Sequence, residues 1–402
     1  MAKVLFFNIP SEGHTNPTLA YVAELVRRGE EVVYYSVPAF QRRIEATGAR
    51  FRSYGEALPR DPFEVPPNLL MLGQWIMEDT QRIVQSLQEE TRRERPDYVI
   101  HDALSVWGRI LAYLLRRPAI ASITTFAFAT RHLLRTPGFG LDLLRMLPAG
   151  WPSLVNSRRL RRDLEQANDL PHDLLGRTFC NYAGLNIVFT SRLFQPCAEA
   201  FDERFKFVGP SIASRNGAPP FPYDWLDGRP LVYASLGTIL TDHPEFYRTC
   251  MRVVSRMSVQ AVLSTGRKLD RALLGPIPDN CHVAEYLPQL DLLKRASAFV
   301  THGGMNSVCE GLYYNVPLVV VPQTAEQAFV GRRVAALGAG RLLKSKHFSA
   351  YRLERALQRI LFEHSYRRRA EEVGADLRAA GGCQQAAAET IKFARAQVGV
   401  AQ

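Results

Sequence analysis

Short apolar runs alternate with helical patterns along most of the chain. The first run, Lys3 to Ile9, is rich in β-branched and aromatic residues and predicts a buried strand. A loop rich in Gly, Asn and Pro follows, and a helical pattern then runs from about Thr18 to Arg28, where Gly29 closes it. Glu31 to Ser36 predicts the next strand. Strands and helices that alternate in this way indicate an α/β fold with a parallel sheet.

The same alternation returns later in the first half and fills the second half. In the first half it predicts strands at 97–100, 119–124 and 186–190 and a helix at 104–115. In the second half it predicts strands at 231–235, 261–264, 281–285, 298–301 and 318–321, with helices at 246–257, 290–296 and 305–314. Two stretches, 61–88 and 126–175, do not show this alternation of strands and helices. Long insertions at the strand ends of such sheets form ligand pockets, although ordinary core packing is the alternative for their apolar residues.

Glycine and proline are concentrated between residues 208 and 230, which predicts a linker at 211–229. The linker would join a Rossmann-like domain at 1–210 to a second one at 230–380. Gly381 and Gly382 break the helical pattern at the start of a last segment, 381–402, whose helix we expect to pack back on the first domain. Two α/β halves of similar size are expected to face each other across a cleft that binds ligands.

Composition and charge narrow the class of protein. The chain has 402 residues, of which 47% are hydrophobic and 22% charged, and this excludes a disordered, collagen-like or coiled-coil chain. No apolar run reaches the ~18 residues of a membrane helix, and the N-terminal run is too short for a signal peptide. Six cysteines without a C-x-x-C pair predict reduced thiols and a cytoplasmic location. The net charge of +11 comes from arginines in short mixed runs, which are typical of solvated helix faces, so no nucleic-acid partner is expected.

The strongest chemical signal lies between residues 298 and 310, where a predicted strand passes through a two-glycine turn into a helix. Such a turn brings backbone amides close to a ligand, and a helix N-terminus attracts anions. A carboxylate one turn further along the helix suits the two hydroxyls of a ribose. The segment therefore predicts a nucleotide site, with a simple capped helix as the alternative. Its candidate residues are His302, Gly303, Gly304, Asn306, Ser307 and Glu310.

Other loops at the same predicted sheet edge fit a nucleotide-sugar ligand, although each is common when taken alone. Ser235, Gly237 and Thr238 suit a second phosphate contact. Tyr286 is suited to stacking on a base, and Gln289 to pairing with the base edge. Glu326 and Gln327 suit vicinal sugar hydroxyls. The P-loop and the dinucleotide G-x-G-x-x-G patterns are both absent.

Taken together, these motifs resemble the bacterial macrolide glycosyltransferase family, which is related to the UDP-glycosyltransferases and has the two-domain GT-B fold. The matching segments span nearly the whole chain: Gly13-His14-x-Asn16-Pro17, Ser235-Leu-Gly-Thr, Tyr286-x-Pro-Gln, His302-Gly-Gly-Met-Asn-Ser-x-x-Glu310 and Glu326-Gln327. The resemblance implies that His302, Asn306 and Ser307 hold the diphosphate, Glu310 the ribose, and Glu326 with Gln327 the sugar. The family more often has Trp at the position of Tyr286, and many relatives have Asp at the position of Glu326.

The resemblance also identifies a general base. His14 follows the first predicted strand and Asp102 follows the strand at 97–100, so both belong to one sheet edge. An imidazole oriented by a carboxylate is a common general base, and the resemblance implies that role for His14, with Asp102 as its support. We expect inverting, metal-independent transfer of a sugar, glucose above all, from a UDP-sugar co-substrate without a further cofactor. The expected acceptor is a small hydrophobic flavonoid, other phenol or macrolide, contacted by Phe126, Phe128 and Met77.

Three alternatives stay open at the level of sequence. A UDP-sugar epimerase shares the two-domain shape but needs no acceptor pocket, so the apolar insertions argue against it. A nucleotide-sugar sensor without catalysis would not need both His14 and Asp102. A peripheral membrane transferase with a lipid acceptor fits the arginine excess and the 126–151 segment, although no integral membrane association is expected.

Overall fold

The chain forms two compact units in the computed structural model. The structure describes residues 1–59, 68–128, 139–172, 174–175, 181–212, 220–237 and 242–398, with the backbone alone for 139–146 and 398. One unit comprises Met1–Ser211 together with Ala380–Gln402, and the other comprises Ile212–Ala379. The chain therefore passes from the first unit to the second and returns at its C-terminal end.

The first unit is built on a seven-stranded sheet in which every neighbouring pair is parallel. Its strand order is β3-β2-β1-β4-β5-β6-β7. The strands are β1 (Lys3–Phe7), β2 (Glu31–Ser36), β3 (Arg50–Ser53), β4 (Tyr98–Asp102), β5 (Ala119–Ile123), β6 (Leu185–Val188) and β7 (Phe205–Phe207). Helices cover the sheet: α1 (Glu12–Arg27), α2 (Gln41–Glu45), α3 (Leu69–Glu94), α4 (Val106–Leu114), α5 (Phe139–Ala167) and, from the end of the chain, α12 (Gly382–Val398).

The core of this unit explains why its strands are nearly continuous apolar runs. A parallel sheet with helices on both faces buries both sides of each central strand. Val4 to Phe7 in β1 are fully buried, and the Phe6 ring stacks on that of Tyr34 with centroids 4.7 Å apart. The last helix, α12, packs on α1, where the hydroxyls of Tyr21 and Thr390 lie 2.5 Å apart.

The second unit has a six-stranded sheet, also parallel throughout, in the order β10-β9-β8-β11-β12-β13. Its strands are β8 (Leu231–Ser235), β9 (Gln260–Ser264), β10 (Cys281–Ala284), β11 (Ala296–Thr301), β12 (Leu318–Val320) and β13 (Gly340–Leu342). Its helices are α6 (Pro244–Val254), α7 (Gln289–Leu293), α8 (Met305–Tyr313), α9 (Ala325–Ala336), α10 (Ala350–Phe362) and α11 (His364–Ala379). These sheets confirm the prediction of two α/β, Rossmann-like domains.

The structure corrects the prediction in several places. The first helix begins at Glu12, so His14 lies in a helical turn and not in a loop, although Gly13 and Pro17 disfavour a helix locally. Tertiary contacts outweigh that local preference, since Thr18 in the same helix contacts the Tyr34 hydroxyl at 2.7 Å. The strands β3, β7 and β13 were not predicted, because each is short and contains Arg or Lys in place of a continuous apolar run. The two irregular stretches contain the long helices α3 and α5, which pack against each other.

In the part of the chain that the structure describes, no helix has the length and apolar character required to cross a membrane.

Candidate active site

The strand order of the first sheet reverses between β1 and β4, because β2 and β3 lie on one side of β1 and β5 to β7 lie beyond β4. In open parallel sheets, ligands bind at such a reversal, outside the carboxyl ends of the two strands. Phe7 at the end of β1 is in register with His101 in β4. His14 in the first turn of α1 and Asp102 at the end of β4 therefore meet at this position.

His14 and Asp102 form a close hydrogen-bonded pair. The His14 Nδ1 lies 2.7 Å from the Asp102 Oδ2, and the Asp102 side chain is fully buried while that of His14 is 16% exposed. The other carboxylate oxygen, Oδ1, accepts a hydrogen bond from the Leu104 backbone N–H at 2.8 Å. Because a carboxylate only accepts, Nδ1 carries the proton and the Nε2 of the ring carries the lone pair. This arrangement holds the imidazole in the tautomer that a general base requires.

Thr124 is a neighbour of this pair that sequence reasoning missed. Its hydroxyl oxygen lies 3.1 Å from the His14 Nδ1. Thr124 follows β5, which pairs with β4, so its position at the end of the neighbouring strand was the available signal. The hydroxyl adds a second polar group beside the protonated nitrogen of His14.

His101 supports the backbone of the residue next to it. Its Nδ1 donates a hydrogen bond to the Asp102 carbonyl oxygen at 3.0 Å, while its Nε2 is buried without a hydrogen-bond partner among the described residues. Burial lowers the pKa of His101 to about 4, because a proton on Nε2 would create a charge inside the core. The ring is therefore neutral at pH 7 and helps to fix the strand end that bears Asp102.

The second sheet reverses its order between β8 and β11, and the predicted nucleotide segment lies at this position. Ser235 at the end of β8 is in register with Thr301 at the end of β11. The loops that follow these two strands bring Gly237 and His302 together. Ser235 is 4% exposed, and its hydroxyl accepts a hydrogen bond from the Gly237 N–H at 3.2 Å. Thr238, predicted beside them, lies outside the described residues.

Glycines at two positions make room for the imidazole of His302. A Cβ on Gly237 would lie 2.7 Å from the His302 Cε1, and one on Gly304 would lie 2.5 Å from its Nε2. Gly237 also has a φ of +82°, which side chains rarely adopt. The sequence predicts a phosphate contact at Gly237 and close approach of backbone amides at Gly304, and the structure adds that both glycines leave space for the His302 ring.

His302 is neutral in this environment. Burial lowers its pKa to about 4, and a hydrogen bond with the Ser235 backbone opposes part of that shift. A neutral imidazole offers one N–H donor, whereas a protonated ring offers two. An anion beside the ring would favour the protonated form and so would raise this pKa.

The helix α8 starts directly after this loop, with Gly304 as its N-cap. Asn306 and Ser307 are half-buried in its first turn, where the helix N-terminus favours negative charge. Glu310, one turn further along, is only 4% exposed. Its Oε2 accepts a hydrogen bond from the Gln289 Nε2 at 2.6 Å. Gln289 therefore donates a hydrogen bond to Glu310, the residue predicted to bind the ribose. This contact was not expected, because the sequence predicted that Gln289 pairs with the edge of the base.

Tyr286 has the exposure that a stacking residue needs. Its side chain is 40% exposed, and the Arg267 guanidinium lies over its ring at 5.0 Å from the centroid. Arg267 was not among the predicted residues, because eighteen residues separate it from Tyr286 along the chain and the sequence gave no sign of the contact. Both side chains are exposed, and a cation–π contact at an exposed site contributes about 0.5–1 kcal/mol.

Glu326 and Gln327 lie in the first turn of α9 and differ in their surroundings. Glu326 is exposed. Gln327 belongs to a capping box with Thr324, and its Oε1 accepts hydrogen bonds from the backbone N–H groups of Gln323 and Thr324 at 2.8 and 3.2 Å. The side-chain oxygen of Gln327 therefore caps the N-terminal end of α9. Both amide atoms of Gln323, which was not predicted, are buried without a partner among the described residues.

Comparison with known proteins decides the family. Residues 249–392 match the family described as erythromycin biosynthesis protein CIII-like, C-terminal domain. The chain is 36% identical over 396 residues to a Bacillus subtilis protein named uncharacterized UDP-glucosyltransferase YojK, with 96% of both chains covered. It is 33% identical to the NDP-glycosyltransferase YjiC of Bacillus licheniformis, with 97% of both covered.

The chain belongs to the bacterial macrolide-type UDP-glycosyltransferase family. The crystal structure of CalG4, the calicheamicin glycosyltransferase, superimposes with a TM-score of 0.83 at 28% identity and covers 99% of both chains. The family resemblance, the GT-B fold and the prediction of a UDP-dependent glycosyltransferase are thereby confirmed. The roles of individual residues stay predictions.

The predicted acceptor residues of this glycosyltransferase lie in different environments. Met77 is 3% exposed within the core of the first unit, and Phe126 is 2% exposed with its ring 5.5 Å from that of Phe194. Phe128 is half-buried, and its backbone N–H and carbonyl both bond the Tyr182 hydroxyl. Packing accounts for Met77 and Phe126 as they stand, so their contact with an acceptor stays a prediction.

No three His, Cys, Asp or Glu side chains within the described ranges come together as metal ligands would.

The contact between Gly304 and His302 gives the first testable prediction for this glycosyltransferase. Gly304 has an ordinary φ of −60°, so alanine fits its backbone, and the three atoms nearest to the added methyl group all belong to the His302 imidazole. We expect Gly304→Ala to displace His302 and to weaken UDP binding by about tenfold or more, as measured by isothermal titration calorimetry.

Gly73→Ala is the matched control. A Cβ at Gly73 in α3 would have only the Ser157 hydroxyl within 4 Å, at 3.9 Å. This variant should bind UDP as the unmodified chain does. Equal UDP affinity of Gly304→Ala and the unmodified chain would contradict the assignment of this loop to the nucleotide.

The neutral His101 predicts a pH dependence of stability. Its pKa is about 4 in the folded chain and 6.5 for the unperturbed group, so the unfolded chain binds more protons between these values. The free energy of unfolding should therefore fall as the pH decreases from about 6.5 to about 4, and His101 should account for about 3 kcal/mol of that loss. Denaturant titrations of the unmodified chain and of His101→Asn measure this contribution. An identical loss in both proteins would show that His101 is not its source.

Proposed function

We propose that this protein transfers a sugar from a UDP-sugar to a hydroxyl group of a small hydrophobic natural product, with inversion and without a metal. The observation that carries the proposal is the 2.7 Å hydrogen bond between His14 and the buried carboxylate of Asp102 at the reversal of the first sheet. Family membership supports the reaction type. The loop at 302–304 and the start of α8 in the second unit supply the corresponding site for the donor.

The acceptor hydroxyl loses its proton to the His14 Nε2. Asp102 holds the Nδ1 proton in place and stabilises the imidazolium that forms, since the charge pair is buried on the carboxylate side. The acceptor oxygen attacks the anomeric carbon of the sugar while the bond to the diphosphate oxygen breaks. Because attack occurs from the face opposite the leaving group, an α-linked donor gives a β-glycoside.

The leaving diphosphate acquires negative charge, which the second unit is suited to stabilise. The N-terminus of α8 provides backbone N–H donors and a partial positive charge, and Asn306 and Ser307 lie in its first turn. His302 gains a second N–H donor if the approaching diphosphate causes its protonation. In this proposal Glu310 accepts the ribose hydroxyls, Tyr286 stacks on uracil, and Glu326 with Gln327 contacts the sugar.

The names of the relatives support the choice of substrates. One relative is named a UDP-glucosyltransferase, which favours UDP-glucose as donor. The CalG4 structure is of a calicheamicin glycosyltransferase, and the matching family is named after erythromycin biosynthesis, which favours a natural-product acceptor such as a macrolide, a flavonoid or another phenol. A screen of UDP-glucose against such acceptors by mass spectrometry tests this choice.

The general-base assignment predicts separate effects on chemistry and on donor binding. His14→Ala and Asp102→Asn should each lower kcat by about 10²- to 10⁴-fold, because proton transfer loses its base or the base loses its correct tautomer. UDP affinity should stay unchanged in both variants. Steady-state kinetics with a phenolic acceptor and calorimetry with UDP measure the two quantities.

His172→Ala is the matched control for His14→Ala. His172 in the first unit also pairs with a buried carboxylate, with its Nδ1 2.9 Å from the Glu165 Oε2, but its side chain is 95% exposed. This variant should retain full kcat. Full turnover of His14→Ala would remove His14 from the mechanism.

The proposed electrostatic stabilisation by α8 predicts activity without a divalent ion. Dialysis against excess EDTA should leave kcat unchanged within about twofold, because the helix N-terminus and His302 take the part that a metal plays elsewhere. Turnover by high-performance liquid chromatography, with and without added Mg²⁺, is the measurement. Loss of activity that Mg²⁺ restores would overturn the metal-independent mechanism.

A further inference from the structure

A chain of two hydrogen bonds connects the central strand of the second sheet to Glu310. The Tyr233 hydroxyl lies 3.2 Å from the Gln289 Oε1, and the Gln289 Nε2 lies 2.6 Å from the Glu310 Oε2. The three residues come from β8, α7 and α8, respectively. These two hydrogen bonds thus link a strand and two helices next to the carboxylate that is proposed to bind the ribose.

The chemistry of the three groups fixes the direction of both hydrogen bonds. A carboxylate only accepts, so the Gln289 amide must present its NH₂ group to Glu310. Its oxygen must then face Tyr233, and the phenol must act as the donor. The Glu310 carboxylate therefore sets the orientation of the Gln289 amide, and the Tyr233 hydroxyl stabilises that orientation by donating to the amide oxygen. Without that donor, the amide oxygen loses its partner and the amide is free to rotate away from Glu310.

Tyr233 is held rigidly enough for this task. Its side chain is 1% exposed, and its ring stacks on that of Phe299 with centroids 5.0 Å apart and planes 27° apart. The two residues are register partners on the parallel strands β8 and β11. A buried, stacked ring has little rotamer freedom, so its hydroxyl stays at a constant position under the amide of Gln289.

We infer that Tyr233 is a positioning residue that acts through Gln289 to hold the Glu310 carboxylate for a vicinal diol. It thereby makes this enzyme prefer ribonucleoside diphosphates over their 2′-deoxy forms. This inference rests on the proposed function, in which Glu310 binds the ribose. A correctly turned carboxylate accepts both ribose hydroxyls, whereas a 2′-deoxyribose offers only one of them. Discrimination of this kind depends on the orientation of the carboxylate as well as on its presence.

The hydrogen bonds from Tyr233 through Gln289 to Glu310 form a relay, and Tyr233→Phe tests it because this substitution removes the hydroxyl and leaves the stacked ring. Calorimetry measures the dissociation constants of UDP and of 2′-deoxy-UDP, and the ratio of the second to the first reports the discrimination. We expect this ratio to fall by about threefold to tenfold, the effect of one hydrogen bond. In turnover, the KM for the UDP-sugar should rise while kcat stays unchanged, since the ribose is bound equally in the ground and transition states.

Tyr247→Phe is the matched control, since Tyr247 is fully buried in the same unit and its hydroxyl donates to the Ser264 carbonyl at 3.0 Å. This variant should lose a comparable hydrogen bond without changing the UDP to 2′-deoxy-UDP ratio. Gln289→Met is a second test of the relay in case Tyr233→Phe does not fold, and it should reduce the ratio in the same way. An unchanged ratio in the folded relay variants overturns the inference.

Glu310→Gln separates failure of the relay from failure of the proposed function. If the ribose is bound by Glu310, this variant should abolish most of the discrimination. Loss of discrimination in Glu310→Gln together with an unchanged ratio in Tyr233→Phe would reject the relay and keep the ribose site. An unchanged ratio in Glu310→Gln would place the ribose elsewhere and would reject both.

Discussion

The reversal of strand order in each sheet is the constraint on which both sites depend. At a reversal, the connections from two adjacent strands leave toward opposite faces of the sheet, so the edge between them stays open. In the first unit this edge lies between β1 and β4, and it brings together His14 and Asp102 from distant parts of the chain. In the second unit it lies between β8 and β11, where Gly237 meets His302.

Burial of the carboxylates at these edges requires hydrogen-bond donors at fixed positions around them. Asp102 is fully buried and Glu310 nearly so, and a buried carboxylate is stable only with donors that satisfy it. These donors include His14 and a backbone N–H for the first carboxylate, and Gln289 for the second. The need to satisfy each carboxylate therefore also fixes the orientation of the side chain beside it. In this way, the folding requirement and the functional geometry are met by the same hydrogen bonds.

The parts of the fold and site that follow from local pattern were predictable from the sequence. Both alternating series, and the strand ends that carry Asp102 and His302, depend on apolar runs and on the register of parallel strands. The helical position of His14 was not predictable in this way, because Pro17 indicates a break that contacts with other strands outweigh. Likewise the bond from Gln289 to Glu310 and the capping role of Gln327 depend on which side chain lies nearest in space.

The contrast between the two units suggests how specificity is divided between them. In the second unit, the predicted donor residues are held by hydrogen bonds, by stacking and by glycines that leave room for one ring, so the proposed nucleotide site lies in a closely packed framework. In the first unit, the catalytic pair is equally fixed, but the long helices α3 and α5 come from the segments with the weakest sequence pattern. Segments with few polar requirements can change their apolar side chains without disturbing the buried pair. Under the proposed function, acceptor choice can therefore diverge among relatives while the proposed chemistry at His14 and the proposed nucleotide site stay the same.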